Sequence, residues 1–381
     1  MGAGQWIQAF LIPGHPHLTR RQPKNRGVLV LPHKETIEKR QELLKKLVGG
    51  QMPRLWCPPL THYTANGELD RDRMEAHWAV MTPHVNSFLV PGSTGDAWEM
   101  AEPEVRSLLE FAIELAKKYD ALLLIGVLAS SASAMCQTIS EILATLKQKT
   151  GMSDSTEALK ESRVCGFTVC PPHGSKLTQD EIRAALETVL ALGLPTALYQ
   201  LPQVTLNEMS PTLVAQLAVR YPNLILLKDT SGNDRVALSD DAPSNVFFVR
   251  GAEGRYTEWL RESGGPYHGL LLSTANCFSS QLKAIVTLLE QGKNEEARDL
   301  SDRLTRVVEL VFGLVNDLPD GNAFANANKA MDHFMAYGPN AEQISPPRLH
   351  TGAHLPEEVI LQTATILKNE DLIPSKGYLD L

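Results

Sequence analysis

The chain is poor in cysteine, in acid near its start, and in uninterrupted hydrophobic sequence. Its five cysteines, Cys57, Cys136, Cys165, Cys170 and Cys277, are scattered and odd in number. Only Cys165 and Cys170 are close, and five places apart on one predicted strand they face opposite sides. That spacing makes neither a metal knuckle nor a disulfide framework, and it fits a reduced intracellular setting. No apolar run approaches a membrane span, so no membrane partner is expected. The formal net charge of -8 argues against nucleic acid or an anionic lipid surface as the main partner. No G-x-G-x-x-G follows the first predicted strand, which removes the usual signature of a dinucleotide site. His62, His77 and His84 show no metal-ligand spacing, so neither metal nor organic cofactor is expected.

The first 34 residues hold no Asp or Glu, yet they carry Arg20, Arg21, Lys24 and Arg26. An acid-poor basic leader is compatible with an organelle transit peptide. The segment lacks the serine richness of one, and its short apolar patch is broken by proline. A flexible extension or an arm packing on a neighbouring subunit is the preferred expectation, with a cytoplasmic location.

What the chain has is alternation. An amphipathic helix is predicted over Lys34 to Val48, closed by Gly49-Gly50. Apolar strand candidates follow at 55–57, 85–90, 121–128, 164–170, 195–201, 224–228, 246–250 and 268–273, separated by helical patterns. Thr178 and Glu181 spell a capping box, and a short helix is expected over Glu253 to Glu262. About eight strands, each followed by a helix, predict a (β/α)8 barrel rather than an open sheet. Glycine-rich polar turns recur at the strands' carboxyl ends, where barrel sites are built. Three more helices are predicted at 294–315, 322–337 and 356–369. The expected division is an extension at 1–50, a barrel at 51–292 and carboxyl-terminal helices at 293–381.

Three strand ends carry candidate chemistry. Gly92-Ser93-Thr94-Gly95 ends the second strand, where backbone N–H groups and two hydroxyls can cradle a carboxylate or phosphate. Tyr199 ends the fifth, either as an acid/base or as a hydrogen-bonded core aromatic. Lys228 ends the sixth, after the apolar run Leu224-Ile225-Leu226-Leu227. It either snorkels to water or works as an amine. Adjacent barrel strands would make Tyr199 and Lys228 neighbours. An amine, a phenol and a carboxylate cradle form a kit for Schiff-base chemistry on a 2-keto acid.

The stretches G-S-T-G-D at Gly92 to Asp96, L-Y-x-x-P at Leu198 to Pro202 and L-K-D-T-S-G at Leu227 to Gly232 resemble the dihydrodipicolinate synthase / N-acetylneuraminate lyase family of class I aldolases. Gly251 and the S-T-A-N at Ser273 to Asn276 extend the likeness. The resemblance implies that Lys228 is the Schiff-base lysine and Tyr199 the proton-relay tyrosine. It likewise implies that Ser93 and Thr94 are the carboxylate-binding and relay hydroxyls, in a homo-oligomer, commonly a tetramer built from dimers. The sequence also departs from the pattern. The synthase branch has an arginine where Val204 stands and a tyrosine pair where Pro171-Pro172-His173 stands, which argues against dihydrodipicolinate synthesis. Gln200 replaces an asparagine, Asp96 a glutamate, and Thr61 is a weak relay candidate. Specificity is expected near His173, Gln200, Val204, Glu253 and Ser273, with Glu253 at the place where the sialate lyase branch holds sugar hydroxyls. The expected function is a cofactor-free lyase acting on pyruvate or a longer 2-keto acid, by aldol chemistry or by dehydration of a 2-keto-3-deoxy sugar acid. The alternative is a family member that has lost catalysis and serves as a 2-keto-acid-binding or assembly protein.

Overall fold

The computed structural model describes residues 34–379, so the expectations for the basic leader lie outside the described residues. The strands are β1 (Leu55–Trp56), β2 (Ser87–Val90), β3 (Leu122–Val127), β4 (Val164–Val169), β5 (Thr196–Gln200), β6 (Leu224–Asp229), β7 (Phe247–Arg250) and β8 (Gly269–Leu271). All neighbouring pairs are parallel, in the order β1-β8-β7-β6-β5-β4-β3-β2. A parallel bridge between Cys57 and Phe88 joins β1 to β2 and closes the ring into a (β/α)8 barrel. Closure explains the uniform burial of strands such as Leu224–Leu227, because side chains pointing in fill the lumen and those pointing out meet helices.

Helices α1 (Lys34–Val48), α2 (Arg71–Met81), α3 (Glu102–Lys118), α4 (Ala132–Thr150), α5 (Ser155–Glu161), α6 (Gln179–Leu190), α7 (Pro202–Thr205), α8 (Pro211–Arg220), α9 (Ala275–Glu290), α10 (Asn294–Val315), α11 (Ala323–Tyr337) and α12 (Glu357–Asn369) complete the described structure. The Thr178–Glu181 capping box is formed at the start of α6. The helix expected over Glu253 to Glu262 is not. Gly254 at φ +80° and Arg255 at φ 52° break any helical run, and only a 3-10 turn at Arg261–Ser263 remains.

α1 lies across the amino-terminal end of the barrel. Arg40 on α1 is buried and donates from Nη2 to the carbonyls of Ala218 (2.7 Å) and Tyr221 (2.8 Å), satisfying acceptors at the end of α8. At the opposite end, α11 packs over the turn that follows β2. α11 carries an unusually complete set of buried polar residues, including Asn322 at its N-cap, Lys329 and Asp332. No helix among the described residues is long and apolar enough to cross a membrane.

Candidate active site

β6 buries four apolar residues and then places Lys228 only 5% exposed at its carboxyl end. In the β5–β6 register Tyr199 pairs directly with Lys228, so both side chains point to the same side of the sheet. Lys228 Nζ lies 4.0 Å from the centre of the Tyr199 ring. Burial pulls the lysine down to about pKa 7, against opposition from Cys170, Glu253 and Cys57. Cys170 is itself pushed up to about 12 by burial, and Cys57 is raised well above its ordinary value. Both are therefore neutral thiols near pH 7, which leaves Glu253 as the charge that opposes desolvation. An appreciable fraction of the Lys228 amine is thus unprotonated at neutral pH, as a nucleophile requires. Burial and then Cys170 raise the Tyr199 phenol, while the neighbouring hydroxyls of Thr230 and Ser93 act in the other direction. Tyr199 accordingly holds its proton and can donate it.

The Gly92-Ser93-Thr94-Gly95 stretch forms a 3-10 turn over Ser93–Gly95, with Gly92 extended before it and Asp96 left-handed (φ 61°) after it. The first N–H groups of such a turn have no acceptor inside it. Gly95 is held where a Cβ would meet the carbonyl oxygen of Pro59 at 2.8 Å, so the close packing there needs glycine. The turn is braced from several sides. Thr61 Oγ1 donates to the Gly95 carbonyl (2.8 Å), Trp98 Nε1 to Ser93 Oγ (3.0 Å), and Asn322 Nδ2 to the Ser93 carbonyl (3.1 Å). Asp96 sits 2.6 Å from the buried ammonium of Lys329 and accepts from the Tyr63 hydroxyl at 3.0 Å.

One pocket of about 210 Å³, mouth included, is lined by Ser93, Thr94, Tyr199, Lys228, Gly251 and Ser273, together with Pro58, Thr230, Leu271 and Phe324. Gly251 is needed there: a Cβ would meet Thr230 Oγ1 at 2.2 Å and Lys228 Cε at 2.8 Å. Glu253 stands behind Ser273 and accepts from Ser273 Oγ (2.6 Å), the Thr274 N–H (3.0 Å) and the Tyr256 hydroxyl (3.1 Å). Gly92 shapes the turn and does not itself line this pocket. His173 is exposed, its N–H bonded to the Ser130 carbonyl at 3.2 Å, and it too lies outside the lining. Gln200 is fully engaged with the Met209 backbone, donating at 3.2 Å and accepting at 2.9 Å. The residues missed from sequence are Thr230, Phe324, Trp98 and Cys170. Thr230 lies two residues past Lys228 and could have been found by its position in the L-K-D-T-S-G stretch. Phe324 reaches the pocket from α11, and nothing local in the sequence marks it.

His62, His77 and Asp332 come together with ligand-capable atoms within 4.8 Å of one another. Their donors and acceptors are already committed. Asp332 accepts from Arg73 (2.9 Å) and from the Tyr378 hydroxyl (3.0 Å), and His77 Nε2 reaches the Asn276 carbonyl at 2.8 Å. His62 Nε2 is 3.2 Å from His77 Nδ1. With a guanidinium already bound to the carboxylate, the cluster is a hydrogen-bonded chain tying the carboxyl-terminal tail to α2 and α11.

The barrel thus brings a desolvated lysine, an in-register tyrosine and a braced hydroxyl turn together at one mouth. The chain belongs to the dihydrodipicolinate synthetase family, whose model matches residues 51–319. Its curated relatives are synthases, and the chain belongs with them at the level of the family. It is 22% identical over 289 residues to the 4-hydroxy-tetrahydrodipicolinate synthase of Methanosarcina mazei, covering 74% of this chain and 90% of that one. To the enzyme of the same name from Agrobacterium fabrum it is 26% identical over 266 residues, covering 69% and 82%. Among solved structures, a prophage protein of the dihydrodipicolinic acid synthase family from E. coli K12, in complex with pyruvate, superposes with TM-score 0.64 at 20% identity, covering 84% of this chain and 98% of that one. The enzyme of Cyanidioschyzon merolae with lysine bound gives TM-score 0.65 at 19% identity, with coverage of 84% and 98%. At these identities the structural likeness establishes the fold.

Proposed function

We propose that the protein is a Schiff-base lyase that takes pyruvate or a longer 2-keto acid at Lys228 and needs no cofactor. The observation that carries the reading is the Lys228 amine, drawn to about pKa 7 by burial and set 4.0 Å from the ring of a tyrosine that keeps its proton. Ser93 and Thr94 hold the substrate carboxylate, which turns the keto carbon toward Nζ. The amine adds to that carbon, and the keto oxygen leaves as water with protons relayed through Tyr199. The resulting iminium draws electrons from the adjoining carbon. It supports either cleavage of a carbon–carbon bond or expulsion of a β-hydroxyl as water. Thr230 and Gly251 keep the lysine stem in place, and Glu253 orients Ser273. Pyruvate bound to the E. coli relative supports the 2-keto-acid half. The Val204 and His173 positions support a second partner other than that of dihydrodipicolinate synthesis.

The reading includes a cytoplasmic homo-oligomer, dimer or tetramer. It keeps the division into an extension at 1–50, a barrel at 51–292 and carboxyl-terminal helices at 293–381. The functional test is a panel of 2-keto acids and 2-keto-3-deoxy sugar acids, with pyruvate release and water loss both followed. Turnover of at least one member, abolished in Lys228→Arg, is expected. Turnover that survives Lys228→Arg, or 2-keto acids that raise the melting temperature without any turnover, would contradict the lyase reading; the second result would favour a binding protein.

A further inference from the structure

The barrel closes at a short seam. Strand β1 has two residues, and among the described residues it meets β2 through the one bridge between Cys57 and Phe88. Just below that bridge Ser87 Oγ donates to the Leu55 carbonyl (2.7 Å), and the Asn86 carbonyl turns away to accept from Leu122 on β3 (2.8 Å). There the two strands part, and a cavity of about 690 Å³, mouth included, opens between their amino-terminal ends and α9. It lies at the end of the barrel opposite Lys228 and exceeds the 210 Å³ of the pocket there. Its size is that of a small-molecule site.

The lining combines an apolar floor with polar groups that have nothing to bind. Met52, Leu55 and Val286 are buried and supply the floor. Lys283, Val286 and Glu290 are spaced three and four apart on α9, so one helix face borders the cavity. Arg54 is fully committed. Its Nε donates to the His268 carbonyl (3.0 Å), Nη1 to Glu290 (2.8 Å) and Nη2 to Glu262. That pairing also uses the Glu290 carboxylate. The side chains of Lys283, His84, Asn86 and Gln51, by contrast, make no hydrogen bond or ion pair to another described residue. Lys283 is therefore the lining charge without a counter-ion, flanked by two amides and an imidazole that can donate hydrogen bonds.

We propose that this cavity is a second ligand site, which takes a small carboxylate with an apolar body. The carboxylate meets Lys283, with Asn86, Gln51 and His84 as further donors. The body rests on Met52, Leu55 and Val286. One unmatched positive charge fits a monoanion, and the apolar floor favours an organic acid over an inorganic ion. The site shares no lining residue with the pocket at Lys228, so it stands or falls apart from the chemistry proposed there.

Benzoate is the probe, with benzamide as its uncharged counterpart, and binding to the full-length protein is measured by isothermal titration calorimetry. Benzoate should bind with a Kd of about 1 mM or below, and benzamide at least about tenfold more weakly. Lys283→Arg, which keeps the charge, should retain benzoate binding. Lys283→Glu should weaken it by about tenfold or more, and Lys228→Arg should leave it unchanged. In protein labelled with 13C at the methionine methyls, the Met52 signal, assigned through Met52→Leu, should move as benzoate is added. Absence of benzoate binding, equal binding of benzamide, full affinity in Lys283→Glu or an unmoved Met52 signal would each overturn the site. Benzoate binding that is lost in Lys228→Arg but kept in Lys283→Glu would place the probe at the other end of the barrel and overturn it as well.

Discussion

Lys228 is kept in the barrel at a cost to stability, and that cost has a sign. Its folded pKa of about 7 lies below the ordinary 10.5. Between those values the unfolded chain binds the extra proton, so stability rises with pH across that window, and the full penalty is present below pH 7. Lys228→Met is therefore expected to stabilise the protein at pH 7 by roughly 1–3 kcal/mol, the gain shrinking as pH approaches 10.5. Equilibrium denaturation at several pH values reads this directly. The rate of imine formation should rise through about pH 7 as the amine loses its proton. Tyr199→Phe should leave pyruvate able to trap on Lys228 while lowering kcat by about 10²–10³, the span expected when a proton relay is lost. A mutant as fast as the parent would remove Tyr199 from the mechanism.

The elements differ in how visible they were. The barrel strands were legible because each is an apolar run ended by a polar, often glycine-containing turn. The capping box at Thr178 worked for the same reason: its whole mechanism lies within four residues. Helix α5 went unmarked between Thr150 and Val164, and the run after Glu253 read as helical although Gly254 and Arg255 adopt left-handed conformations. The supports of the Gly92–Asp96 turn were invisible, since Lys329 meets Asp96 across 233 residues and Asn322 meets Ser93 across 229. The proposed reactive groups were therefore visible in the sequence, while the side chains that brace them were not. Two outcomes follow for these supports. Gly251→Ala should give a folded protein that traps pyruvate poorly, since the added methyl would press on Thr230 and on Cε of Lys228. Asn322→Ala should raise KM for the keto acid more than it lowers kcat, with circular dichroism confirming an intact fold.

On the scale of the whole molecule, both ends of the described chain are tied to the barrel. α1 closes the lower face through Leu47 and Arg40. Truncation to Gln51 should lower the melting temperature markedly, because it exposes that face and frees the carbonyls at the end of α8. An unchanged melting temperature would show that α1 contributes nothing. The tail is held by Tyr378 on Asp332, within the chain that contains His62 and His77. Burial, then the nearby Arg73, holds His62 well below its ordinary pKa, so the folded state keeps it neutral. Below about pH 6.5 the unfolded chain gains a proton that the native state refuses, so stability falls with pH by about 1.4 kcal/mol per unit from this residue. His268, lowered to about 4 mainly by burial, acts in the same direction. Acid denaturation should begin just below pH 6.5, and His62→Gln should flatten it.

The central claim is that Lys228 forms the covalent bond to the keto acid. It is tested most directly by reducing the pyruvate-treated protein with borohydride and mapping the modified peptide. The account predicts a single reduced pyruvyl group on Lys228, formed faster at pH 8 than at pH 6. An adduct on another lysine, or none in a protein that turns over 2-keto acids, would contradict it.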